Sequence, residues 1–179
     1  MAWTTPPTFA GGNALAASEL NVLGDDLLSL KSVSDGTVFS GTVLYRSAAT
    51  SIPNDTPTAI TWATELIDIG SWYTSGTDAV VPAGAIPAGF TTIACLAIAR
   101  TSFAANSTGS RRIAVAVNGT WASSVYVPGL NGDPTSVALS DVIFVAAGDV
   151  ITCELWQNSG GSLNASATKL TLVRLAPVS

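Results

Sequence analysis

The spacing of apolar positions changes character once along this chain. Leu20, Leu23, Leu27 and Leu30 recur at intervals of three, four and three, the a/d seam of an amphipathic helix. Asp25 and Asp26 fall on the opposite side, and Lys31 sits in the last turn, where a cation suits the helix dipole. Gly24 weakens this helix by about 1 kcal/mol relative to alanine. Ahead of it, Pro6 and Pro7 hold the stretch from Trp3 to Phe9 extended, and Gly11-Gly12 makes a joint. A helix of about 14 residues is marginal alone. It must pack either on its own domain or against copies of itself in a short coiled coil.

From Thr37 onward the period becomes two, in short runs broken by Gly, Pro, Asn and Asp. The expected strands are Thr42–Ser47, Thr58–Trp62, Leu66–Trp72, Phe90–Phe103, Arg112–Val117, Trp121–Tyr126, Thr135–Val145, Asp149–Gln157 and Ala167–Leu175. Within Arg112–Val117 the larger apolar residues Ile113, Val115 and Val117 share one face, and Asn118-Gly119 follows as a hairpin turn. Pro53-Asn54-Asp55, Pro87-Ala88-Gly89, Asn131-Gly132-Asp133-Pro134 and Ala147-Gly148-Asp149 carry turn chemistry as well. The expected fold is all-β: a jelly-roll β-sandwich over residues 35–179, preceded by an extended arm and short N-terminal α-helix over residues 1–34. No internal repeat points to a propeller or solenoid.

Composition sharpens this picture. Charged residues make up 11% of the 179 and hydrophobic ones 47%, against roughly 25% charged in ordinary soluble domains. No apolar stretch approaches the roughly 20 residues of a spanning helix. The first ten residues lack the basic residue and apolar run of a signal peptide. The missing charge therefore reads as surface hidden between subunits. A net charge of −5 disfavours a nucleic-acid partner, and Arg111-Arg112 reads as a surface or interface pair.

Chemistry is sparse. The chain has no histidine, so neither a Ser-His-Asp nor a Cys-His site can be built, and no phosphate-cradling or cofactor motif is present. Glu65, Asp68, Asp141, Asp149 and Glu154 fall mostly at strand ends and turns, where solvated acids are ordinary. Asn54-Asp55 and Asn131-Gly132-Asp133 could lend oxygens to calcium, but they read better as turns, so no metal or cofactor is expected. Cys95 and Cys153 lie in strand-like runs without metal-ligand spacing and read as buried free thiols. Trp62, Trp72, Tyr73, Trp121, Tyr126 and Trp156 could stack on a sugar, or could be core and interface anchors. The first five are the candidate ligand-facing residues.

Two resemblances follow. The opening Trp3-Thr4-Thr5-Pro6, Phe9, Gly11-Gly12, Leu15 to Asn21 and Asp26-Leu27-Leu28-Ser29-Leu30-Lys31 resembles a leader on tailed-bacteriophage minor structural proteins. Such leaders place Thr three residues before the Glu; here that position is Ala16. The remainder resembles the trimeric jelly rolls of the tumour-necrosis-factor and complement globular-head type. That likeness rests on the segment around Ile52-Pro53-Asn54-Asp55, Gly89-Phe90 leading into Ile93, Arg111-Arg112-Ile113 before Asn118-Gly119, Gly148-Asp149 feeding Leu155-Trp156, and the closing Leu172-Val173-Arg174-Leu175.

Together these imply a non-enzymatic homotrimer at the virion surface, a capsid decoration or head-fibre protein. Trp3, Phe9, Leu20, Leu23, Leu27 and Leu30 would serve for anchoring or oligomerisation, with other virion proteins as partners. The alternatives are a tail-fibre or tail-tip receptor-binding adhesin engaging host-surface glycan, and a free-standing carbohydrate-binding module.

Overall fold

The computed structural model describes residues 40–178. The expected arm and helix, with Trp3, Phe9, Leu20, Leu23, Leu27 and Leu30 and the boundary at residue 34, lie outside the described residues. The described chain forms eleven strands: β1 Gly41–Arg46, β2 Thr50–Ile52, β3 Thr58–Ala59, β4 Thr64–Ile69, β5 Asp78–Val80, β6 Thr92–Phe103, β7 Ser110–Val117, β8 Thr120–Pro128, β9 Thr135–Ala146, β10 Val150–Gln157 and β11 Leu163–Val178. A single 3₁₀ turn at Ala83–Ala85 is the one helical element among them.

They make two antiparallel sheets. The first runs β4-β1-β11-β6-β9, with β2 also paired to β11; the second runs β3-β10-β7-β8, with β5 also paired to β10. Neighbours within each sheet are mostly not consecutive in the chain, the crossing connectivity of a jelly roll. Alternation explains how the sheets meet. In β6, Ile93, Cys95, Ala97, Ala99, Thr101 and Phe103 are all buried; in β10, Ile151, Cys153, Leu155 and Gln157 are. With Ile113 and Val115 of β7 and Leu170 and Leu172 of β11, the apolar side chains among these, all but Thr101 and Gln157, fill the sandwich. Each large aliphatic among them contributes about 1.5–3 kcal/mol by leaving water. Cys95 and Cys153 are buried and unpaired on strands of opposite sheets.

The hairpin expected at Asn118-Gly119 is present. Both residues have positive φ, 51° and 76°, and Val117 pairs with Thr120 across them, as a two-residue primed turn requires. The Asn118 side chain then holds the neighbouring turn, accepting from the Val150 N–H at 2.9 Å and donating to Asp149 at 2.8 Å.

Several boundaries move. The strand expected at Leu66–Trp72 ends at Ile69, because Gly70 and Ser71 both take positive φ. The one expected at Thr58–Trp62 is paired only over Thr58–Ala59. Strands β2 and β5, three residues each, are too short to show alternation.

Candidate functional site

The outer faces of the two sheets carry very different side chains. On the first sheet, register aligns mostly apolar residues across the five main strands. One row runs Ile69, Gly41, Val173, Leu96, Val142, and the next runs Ile67, Val43, Thr171, Ile98, Ser140. A shorter third row places Phe144 beside Ala94 and Ala176. Ile67, Ile69, Ile98, Val142 and Phe144 are all exposed, Phe144 by 64%. Five strands span roughly 19 Å, so this is a continuous apolar surface, unlike the scattered apolar residues of an ordinary exterior. Charge returns only in the row of Thr64, Tyr45, Lys169, Arg100 and Ala138.

The second sheet presents an aromatic cluster around an arginine. Trp156 of β10, Arg112 of β7 and Tyr126 of β8 pair directly across three strands. The Arg112 guanidinium lies 3.0 Å from the Trp121 ring centroid, 5.0 Å from that of Tyr126 and 5.7 Å from that of Trp156. It also donates a hydrogen bond from Nη1 to the Tyr126 hydroxyl. The rings of Tyr126 and Trp156 meet edge to face at 5.9 Å and 74°, the arrangement their quadrupoles favour. Trp121 donates its indole N–H to Glu154 Oε2 at 2.6 Å.

A bulge builds this cluster. Counting back from the Asn118-Gly119 turn, Trp121 pairs with Ala116, but the register slips between Val115 and Ala116. Trp121 and Tyr126 are five residues apart and would point to opposite faces of a regular strand. The extra residue, Ala122, brings both to the outer face. Ala114 and Ala116 alternate with the core residues Ile113 and Val115, yet they are fully buried without belonging to the core. They are covered from outside, on the face that carries the aromatic rings.

Of the aromatics considered from sequence, Trp121 and Tyr126 stand 43% and 54% exposed in this cluster. Trp62 and Trp72 are corrected: both are buried core residues and cannot face a ligand. Positive φ at Gly70 and Ser71 reverses the chain after β4, and the Asp68 carboxylate accepts the backbone N–H groups of Trp72 and Tyr73 at 2.9 and 3.2 Å. The indole N–H of Trp72 then donates to Ser40 Oγ at 2.5 Å, and that of Trp62 to the Thr77 carbonyl at 3.2 Å. Tyr73 is half-buried beside the core, away from Trp121 and Tyr126 in the sheet order.

Arg111 and Arg112 are also corrected, since neither is a surface residue. Arg111 is wholly buried and donates to the carbonyls of Thr108, Ser110 and Asn106 at 2.7–3.1 Å. Arg112 and Glu154 were the members that sequence reasoning did not group with the aromatics, and Trp156 was counted among the aromatics but not among the ligand-facing five. Their alternation with inward residues was the available signal, but the bulge concealed the pairing with Tyr126. Among the described residues no group of three or more His, Cys, Asp or Glu side chains is placed to hold a metal.

No family model matches the chain, and no curated protein matches it. Solved structures do. The Eiger TNF of S. frugiperda superposes with a TM-score of 0.56 at 13% identity, covering 79% of this chain and 95% of that one. The globular domain of zebrafish complement 1qA protein superposes at 0.54 with 11% identity, covering 78% and 98%. The vertex protein P5 of phage PRD1 superposes at 0.55 with 16% identity, covering 76% and 96%. The chain carries the jelly roll of the tumour-necrosis-factor and complement-head type. At these identities the likeness is one of fold. It extends from animal proteins to a phage vertex protein, so it does not by itself choose a biological setting.

Proposed function

We propose that this chain is a non-enzymatic, homotrimeric structural protein of a bacteriophage virion, a capsid decoration or head-fibre protein attached through its N-terminal segment. The apolar outer face of the first sheet carries the oligomeric part of this reading. Rows of Ile, Val and Leu crossing five strands cost free energy while they face water, roughly 25 cal/mol for each Å² left exposed. A second and third copy would remove that cost. They would also account for the low charge of the chain and for the trimeric architecture that its resemblance implies.

The phage setting is supported by two independent likenesses: the leader-like pattern from Trp3 to Lys31, and the fold shared with the vertex protein P5 of PRD1. In this arrangement the segment bearing Trp3, Phe9, Leu20, Leu23, Leu27 and Leu30 docks to the particle or bundles the three chains. The jelly roll then faces outward on the virion surface.

Light scattering on the full chain tests the assembly, with three times the 18.1 kDa chain mass expected. A monomer at working concentrations would overturn it. Particles purified from the phage that encodes the chain test the setting. The protein should sediment with them, and Leu23→Asp with Leu27→Asp should release it. Particles free of the protein would sink the virion reading and leave the trimer standing.

A further inference from the structure

We propose that the outer face of the second sheet is a binding platform for neutral saccharide, with Trp121 and Tyr126 as its stacking surface and Arg112, Thr152 and Glu154 as its polar edge. Three observations converge there. First, two large rings stand about half exposed, Tyr126 held from behind by both Arg112 and Trp156, and Trp121 tied to Glu154 by a hydrogen bond. A pyranose presents a flat C–H face that matches such a ring, and the Tyr126 ring, already held still, loses little freedom on binding.

Second, the polar groups beneath the rings are incompletely satisfied. Arg112 is only 3% exposed, yet its Nε and Nη2 have no hydrogen-bond partner among the described residues. The Thr152 hydroxyl, on the strand beside Ala116, is likewise buried without a partner among them. Buried donors are nearly always paired, and stacking on aromatic rings offsets only part of what Arg112 lacks. Small outward movement of the Trp121 side chain, which lies on an edge strand, would open these donors to a ligand.

Third, the charges select the ligand class. Arg112 and Glu154 cancel within the cluster, and the chain as a whole is at −5, so no net positive charge draws an anion there. The cluster offers donors in Arg112 and Thr152 and acceptors on the Glu154 carboxylate. A sugar hydroxyl donates and accepts at once and can use both, whereas a carboxylate or phosphate can use only the donors. The platform lies on the sheet opposite the proposed trimer face, so it stays open in a monomer or a trimer, and its test does not depend on assembly.

The experiment titrates the full-length chain with neutral gluco-, xylo-, manno- and galacto-oligosaccharides, and with sialyllactose and oligogalacturonate as acidic probes. Tryptophan fluorescence and calorimetry are the readouts. At least one neutral series should bind saturably, and Trp121→Ala and Tyr126→Ala should each weaken it by about tenfold or more. Leu66→Ser, at the far edge of the other sheet, should leave it unchanged. Glu154→Gln keeps an acceptor for the Trp121 indole and should lower affinity without unfolding the sheet, which guards against mistaking misfolding for loss of a contact. Absence of binding across the neutral series would overturn the proposal. So would binding confined to the acidic probes, or binding indifferent to Trp121→Ala and Tyr126→Ala.

Discussion

Asp141 on β9 accepts a hydrogen bond from the Ser123 hydroxyl on β8 at 2.6 Å, joining the two sheets where the edge strand of one meets the edge strand of the other. This bond, and a second from the Val142 backbone N–H at 2.8 Å, hold the Asp141 carboxyl below its ordinary pKa. A carboxyl with a depressed folded-state pKa stabilises the fold above its unfolded pKa. That contribution is lost as pH falls through the folded value. Asp141→Ala should therefore lower the urea midpoint at about pH 6 and narrow its further fall on going to about pH 3. An unchanged pH dependence would show that the bond contributes nothing to folding.

Gln157 is completely buried at the end of β10 and binds three backbone groups. Its Nε2 donates to the Ile52 carbonyl at 3.0 Å and to Gly161 at 2.7 Å, while its Oε1 accepts from the Ser159 N–H at 2.7 Å. One side chain thus ties β2 to the loop between β10 and β11. Gln157→Leu would leave these groups unpaired in an apolar setting, at a cost of about 2–3 kcal/mol. The expected result is a lower denaturation midpoint with an unchanged m-value. A loss under about 0.5 kcal/mol would mean that the loop re-forms its bonds without the amide.

The fold was legible where alternation ran long enough to count. The expected strands within β6, β7 and β10 lie on the observed ones because apolar residues recur at every second position, from Ile93 to Ala99 in β6, Ile113 to Val117 in β7 and Ile151 to Leu155 in β10. The N–G turn announced itself by chemistry alone. Misplacement came where a single backbone event broke the period. The β-rich run from Leu66 continues in composition to Trp72, but positive φ at Gly70 and Ser71 turns Trp72 inward, so an aromatic that reads as a strand residue becomes a core anchor. The aromatic cluster was half legible for a related reason. Trp121 and Tyr126 are visible as aromatics, but their sharing of one face with Arg112 depends on the bulge at Ala122, for which the run Trp121-Ala122-Ser123-Ser124 carries no marker.

The thiols of Cys95 and Cys153 offer a probe of core integrity. Burial pushes Cys95 up to about 11 and Cys153 to about 12, with the nearby Glu154 charge adding to the latter. Both should resist a thiol reagent at about pH 8 in the native protein and react together once denaturant unfolds it. A raised folded-state pKa also means that stability is complete below the unfolded thiol value and declines as pH rises toward 11–12. Replacing Cys153 with Val should soften that alkaline decline. Rapid native labelling of either thiol would show that the sandwich opens locally around it.

Phe144 is the most exposed large hydrophobic residue among those described, and the reason is local. Its neighbours across the sheet are Ala94 and Ala176, which are too small to shelter a ring. Among the described residues none shelters the ring, so Phe144→Asp should leave the sandwich folded, with its far-UV circular dichroism unchanged. Its effect should fall on assembly: a carboxylate set among the apolar rows cannot be desolvated between subunits without a partner. The variant should run as a folded monomer, with a melting temperature that no longer rises with protein concentration as an oligomer's does. Trp121→Ala, on the opposite sheet, should leave the oligomer intact. If Phe144→Asp remains a trimer while Trp121→Ala dissociates it, the subunits meet through the aromatic cluster instead of the apolar rows.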